Sequence, residues 1–329
     1  MSTRGIDSLL ADLVAEGTVE SEGAFTLDRD KAREKMRQFQ LADPLEYLLQ
    51  LVRAAVLRGA TALTFAIDTD DMWLSFDGNP FTIEDFDELY GALFGRGEGG
   101  VLAARRHLAL GVNSALALDP RHVRVESGEA VLEARPGADD AFGPLTPARA
   151  DTRVHVRDRL RLGNLVRFVR VLSGSLPERT LLAARCAYCP VPLTLNGDRL
   201  DGGLARLRGE LVSWVEVEDD GVFVAGGHGL DDAPGTVSLV AAGVTIRDVA
   251  LPTAPGFRAV AGSRALRTDV SQADVVQDEA WATLMQGVER ARLTSLMSLL
   301  ADRPEAAEAA LVRELLHAPP PTRWAETLG

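Results

Sequence analysis

The stretch that decides the fold reads Gln50-Leu-Val-Arg-Ala54-Ala-Val-Leu57-Arg-Gly59-Ala60-Thr61 and continues as Ala62-Leu-Thr-Phe-Ala-Ile67. Its first part reads as a helix. Asp43-Pro44 places a capping carboxylate before a proline at the first helical position, where the missing N–H costs nothing, and Gly59 suits the stop. Its second part reads as a strand. A second strand, Met72-Trp-Leu-Ser-Phe76, leads into Asp77-Gly78-Asn79-Pro80-Phe81, a run of turn-forming residues. On a helix, positions 50, 54 and 57 share one face. That face carries an amide, a methyl group and an apolar side chain, Gln50, Ala54 and Leu57.

Outward from this segment, a helix is expected over 82 to 94, capped by Thr82. The glycine-rich run Gly95-Arg-Gly97-Glu-Gly99-Gly100 follows, then a long helical segment over 101 to 118 interrupted by Gly111. Strands fit 121 to 127 and 130 to 134. The loop 136 to 150, rich in Gly, Pro, Ala and Asp, reads as a boundary. Upstream, 6 to 15 and 28 to 39 read as helices, with a short strand over 24 to 27. Downstream, helices fit 162 to 172 and 177 to 186. Asn196-Gly197 marks a hairpin. Alternating strands fill 211 to 246, with turns at Asp219-Asp-Gly221 and Gly226-Gly227. A helical tail runs from 279 to 316, with Pro304 opening its last helix.

Composition sets outer limits. The chain has 329 residues, 46% hydrophobic and 25% charged, enough for two domains with their own cores. A net charge of −13 argues against nucleic acid as the main partner, because phosphate binding needs a basic surface. No apolar run approaches the length that crosses a bilayer, and the charged amino terminus is unlike a signal peptide, so no membrane partner and a cytoplasmic location are expected. The two cysteines, Cys186 and Cys189, sit as Cys-x-x-Cys with no second Cys pair or His pair. Structural thiols are the favoured reading, ahead of a redox pair or half a metal site.

The helix, the two strands and the Asp-Gly turn together resemble the N-terminal ATPase domain of the GHKL superfamily, which includes gyrase, the HtpG-type heat-shock chaperones, histidine kinases and MutL. There the helix reads Glu-x-x-x-Asn, followed in MutL by Asp and Gly-Ala-Thr. The register here matches without a gap, but Gln50, Ala54 and Leu57 stand at the three chemical positions. The resemblance implies an ATP-binding-type α/β sandwich over 1 to 140, a second mixed α/β domain of middle or transducer type over 150 to 279, and a helical tail over 280 to 329. It also implies ATP or ADP as ligand. Asp77 and Gly78 then stand at the adenine site, and Gly97, Gly99 and Gly100 in a phosphate lid. Gly111 and Asn113 stand in the segment matching Gly-x-Gly-x-x-Ser-Ala. Arg105 and Arg106 offer positive charge nearby. Leu266-Arg-Thr-Asp-Val-Ser-Gln272 resembles the chaperone's Leu-Asn-Val-Ser-Arg-Glu, with Gln272 where the phosphate-sensing arginine would be.

Residue chemistry limits what such a site does. Gln50 can hold a water by hydrogen bonding but cannot take its proton near neutral pH. Ala54 offers no oxygen to Mg²⁺, which demands oxygen donors, so Mg is expected only together with bound ATP. Gln272 is neutral. An alternative register, Glu46 with Gln50 as Glu-x-x-x-Gln, would restore a base but breaks the match at Gly59-Ala-Thr61. Three readings follow. One is a degenerate GHKL protein with weak or no nucleotide binding and no catalytic residue, acting as a chaperone-like module on a protein client. The others are a working ATPase chaperone and an acidic interaction protein whose pocket is purely structural.

Overall fold

The computed structural model describes residues 43–93, 100–159, 176–231, 233–268 and 274–317. The elements expected over 6 to 39 and 162 to 172, the lid positions Gly97 and Gly99, and Gln272 lie outside them. Two mixed sheets and seven α-helices make up the described fold, a mixed α/β architecture. The deciding segment folds as its sequence dictates. Asp43 Oδ1 accepts from Leu45 N across a 3-10 turn, Pro44–Glu46, and helix α1 spans Tyr47–Leu57. Gly59 follows in the left-handed region. Strands β1, Leu63–Ile67, and β2, Asp71–Phe76, pair antiparallel.

Helix α2 is short, Ile83–Asp87. Thr82 and Asp85 close a capping box at its start, and a 3-10 turn, Gly91–Leu93, takes the place of the longer helix expected there. Helix α3, Gly100–Ala117, is continuous through Gly111. The first sheet gains β3 (His122–Ser127), β4 (Ala130–Ala134), β5 (Ala141–Pro144) and β6 (Thr152–Arg157). After helix α4, Pro177–Arg185, it gains β7 (Leu193–Leu195) and β8 (Asp198–Arg199), joined through Asn196 and Gly197 at positive φ. The order is β5-β4-β3-β6-β2-β1-β7-β8, with β1 and β7 parallel. The loop expected as the border therefore supplies a strand, and the first sheet continues to Arg199.

One face of this sheet carries the core. Leu63, Phe65, Leu74, Val125, Leu132, Val154 and Leu193 pack against Leu48, Val52 and Ala55 of α1 and Leu108, Ala109 and Val112 of α3. Alternate strand residues point the other way, so the sheet and its helices form two layers.

Helix α5, Gly203–Glu210, leads to the second sheet: β9 (Val215–Asp219), β10 (Val222–His228), β11 (Gly235–Ala241), β12 (Val244–Leu251) and β13 (Phe257–Ser263). Their order is β12-β11-β13-β10-β9. The turn at Asp220-Gly221 forms as expected. Gly226 and Gly227 do not turn. They lie inside β10, where a Cβ on Gly227 would overlap the Ser213 carbonyl. Helix α6, Glu279–Asp302, buries Leu284, Val288 and Ala291 on this sheet, and α7, Pro304–His317, follows a break at Arg303-Pro304. The tail therefore supplies a core layer. The β11–β12 hairpin reaches the first unit: Val244 belongs to the first core, and Arg185 Nε donates to the Thr245 carbonyl. No helix among the described residues is long and apolar enough to cross a membrane.

The second core holds one polar knot. His228, fully buried, contacts Ser295 Oγ through Nδ1 at 2.8 Å, and Ser295 Oγ meets Ser213 Oγ at 2.6 Å. Ser295→Ala removes the hydroxyl that both neighbours use. It is expected to cost about 1–3 kcal/mol, the penalty for stranding buried polar groups. Urea unfolding measures this, and unchanged stability would show the knot to be dispensable.

Candidate functional site

The face of α1 that would bear nucleotide chemistry is turned onto α3. Gln50 is 2% exposed, and its Oε1 lies 2.8 Å from His107 Nδ1. An amide oxygen can only accept, so the His107 proton sits on Nδ1. Burial pushes the His107 pKa down to about 3, with the positive charges of Arg53 and Arg106 adding to it. A neutral imidazole locked to a glutamine is a poor proton acceptor at neutral pH. Ala54 is 1% exposed within the first core. Glu46, the base of the alternative register, stands in the 3-10 turn with Oε1 3.4 Å from Arg185 Nη1.

Gly111 explains how α3 comes so close. A Cβ there would lie 2.8 Å from Leu51 Cδ2 and 3.5 Å from Gln50 Cβ. The residue that reads in sequence as a helix interruption is a contact point between two helices. Asn113, two residues on, is buried with it. Gly111→Val is expected to cost about 1–3 kcal/mol by overpacking this seam. A calorimetric melt checks it, and an unaltered transition would mean that α1 and α3 pack less tightly than described.

Asp77 and Gly78 form a second group at the far end of α1. The Asp77 carboxylate accepts from the backbone N–H of Thr61 at 2.7 Å and of Ala62 at 3.1 Å, and from the Thr61 hydroxyl. The hydroxyl bond first, and the Thr61 N–H next, hold its pKa below the usual carboxylate range. The carboxylate braces the turn that launches β1. Gly78 has φ +101°, and a Cβ would stand 2.8 Å from the Arg58 carbonyl. The loop thus lies directly on the end of α1, with Asn79 N donating to Arg58 O at 2.9 Å.

Between these groups lies an ionic cluster that the sequence reading missed. Arg58, 5% exposed, donates through Nε to the Asn79 carbonyl at 3.0 Å and through Nη2 to the Pro80 carbonyl and Asp85 Oδ2. Its guanidinium lies 4.3 Å from the centre of the Phe81 ring. Arg105 pairs with Asp85 at 2.7 Å and Glu88 at 2.6 Å, and Arg106 Nε donates to the Ala92 carbonyl. Both arginines that the sequence offers as nearby positive charge are engaged with protein groups. A hydroxyl chain closes the floor: Thr152 Oγ1 meets Ser127 Oγ at 2.6 Å, and Ser127 Oγ accepts from Phe81 N at 2.8 Å. No spacing rule marks these residues, because the pairs are 14 to 46 positions apart. Gly100 opens α3, where an added Cβ would meet no atom of the described residues within 4 Å.

The residues present do not fit Mg²⁺ at positions 50 and 54: Ala54 has no donor atom and the Gln50 oxygen is bonded to His107. Cys186 and Cys189 are buried free thiols. Burial drives the Cys186 pKa upward and holds Cys189 at about 11, so both stay protonated and unreactive.

His107 gives a pH signature. The unfolded chain takes up this proton near pH 6.5, whereas the folded chain resists it down to about 3. Between those values the unfolded state binds more protons, so stability falls as pH falls. The slope from this residue reaches at most about 1.4 kcal/mol per pH unit. His107→Gln is expected to flatten the stability profile between pH 6 and 4, as read from urea midpoints. A profile parallel to that of the wild type would contradict the neutral imidazole.

No protein-family model matches the chain, and no curated protein matches it.

Proposed function

We propose that the chain is a GHKL-like protein of the HtpG type in which the ATP site has been turned into packing, and that it works as a chaperone-like, partner-binding module on protein clients without hydrolysing ATP. The observation that carries this reading is Gln50, which stands at the general-base position, is buried, and is held by His107. Two further features support it. The methyl group of Ala54 lies in the core, and Arg58 and Arg105 are balanced by Asp85 and Glu88 beside the Asp77 loop. ATP or ADP is at most a weak ligand in this account, and Mg²⁺ arrives only with it.

Phosphate release from Mg-ATP tests the reading. The rate is expected to stay at the uncatalysed background. Turnover on the order of 1 s⁻¹, abolished by Asp77→Asn, would overturn it and revive the working-ATPase alternative.

A further inference from the structure

The outer face of the first sheet, opposite its helices, carries a row of chemistry that the proposed function does not use. Strands β2, β6, β3 and β4 are neighbours. Trp73 lies opposite His155 and Asp71 is diagonal to it; His122 is diagonal to His155 on the next strand, and Glu133 is diagonal to His122 on the one after. Diagonal neighbours on one face are within reach of long side chains. Asp71 Oδ1 lies 2.5 Å from His155 Nε2, and His155 Nδ1 lies 3.2 Å from His122 Nε2. Trp73 stacks on His155 with ring centres 3.6 Å apart and planes within 5°.

We propose that this face holds a site for a divalent transition-metal cation of the Zn²⁺, Ni²⁺ or Cu²⁺ class, with His155 Nδ1 and His122 Nε2 as the protein ligands and water completing the sphere. With the Asp71 carboxylate oxygen as acceptor, His155 donates from Nε2 and presents the Nδ1 lone pair to His122. A carboxylate holding the far nitrogen of a ligating imidazole is the usual support for such a ligand, because it fixes both tautomer and ring angle. Trp73 fixes the ring plane as well. Two imidazole nitrogens bound tetrahedrally to Zn²⁺ at ordinary bond lengths lie about 3.3 Å apart, close to the 3.2 Å found here. For the ion to bind, the His122 proton now between the two rings would move to His122 Nδ1, freeing Nε2 as a neutral ligand.

The surrounding charges balance. Arg157 pairs with Asp70 and Asp71, and Arg124 and Arg135 pair with Glu133. Asp68 is occupied by its own turn, accepting from Asp70 N and Asp71 N. Hard cations such as Mg²⁺ and Ca²⁺ prefer oxygen ligands and would not compete for two imidazoles.

Calorimetric titration of the full chain with ZnCl₂ at pH 7.5 tests the site, with Cu²⁺ quenching of Trp73 fluorescence as a second readout. One site is expected. His122→Gln should weaken it at least tenfold while leaving the metal-free melting temperature unchanged, since His122 is the more exposed ring. Trp73→Phe should remove the quenching while keeping Zn²⁺ binding, and excess Mg²⁺ should not displace the ion. Equal Zn²⁺ affinity in wild type and His122→Gln would overturn the proposal, as would no binding by the wild type.

Discussion

Asp85→Ala is expected to remove on the order of 3–5 kcal/mol of folding stability, the usual result of deleting one member of a buried ion pair. Asp85 is 4% exposed and has three tasks. Oδ2 accepts from Arg58 Nη2 at 3.0 Å and from Thr82 N at 3.1 Å, and Oδ1 accepts from Arg105. Its loss leaves Arg58 charged against the Phe81 ring, with only backbone carbonyls for company, and removes half of the α2 capping box. Asp85→Asn keeps an acceptor and a small polar group but not the charge, so its loss should be smaller. Chemical denaturation of both variants measures the difference. A loss below about 1 kcal/mol for Asp85→Ala, the range of exposed ion pairs, would show that this cluster does not hold the loop to the helices.

Writing the Glu-x-x-x-Asn residues onto α1 should not create an ATPase. The double variant Gln50→Glu with Ala54→Asn carries the Glu-x-x-x-Asn pattern on α1. In this fold it places a carboxyl group beside His107 and an amide at a position 1% exposed. The asparagine must displace core side chains, at about 1–3 kcal/mol, and strands polar atoms at a further 1–3 kcal/mol or so. The expected outcome is a chain markedly less stable than wild type, with Mg-ATP turnover still at background. A stable double variant that hydrolyses ATP would mean that the site is intact apart from two side chains, and the packed-site account would fail.

The elements around the opening segment were legible because local signals agreed with the fold. Asp43-Pro44 before α1, Thr82 before α2 and Asn196-Gly197 between β7 and β8 each act within a few residues of the structure they create. The failures have a common physical cause. Gly111 and Gly226-Gly227 read as breaks because glycine is locally permissive, yet each is set by what approaches it: Leu51 at Gly111, and Ala259 and Ser213 at the strand glycines. The loop 136 to 150 has the composition of a linker but pairs with β4 through backbone hydrogen bonds that composition does not encode. In the site, the identities of Gln50 and Ala54 showed what they lack. Their partners did not show, because His107 lies 57 positions from Gln50 and Asp85 lies 27 from Arg58. The imidazole row on the outer face depends on strand register, which is fixed only when the sheet assembles.

Hydrogen exchange over α3, residues 100 to 117, with and without saturating Mg-ATP, shows whether nucleotide engages the α1–α3 seam. A ligand shifts a conformational equilibrium only by its difference in affinity for the two states. With Gln50 bonded to His107, Arg105 bonded to Asp85 and Glu88, and no donor atom at Ala54, that difference should vanish. Superimposable exchange profiles are expected in the two conditions. Strong ATP-dependent protection across α3 would contradict the packed-site account.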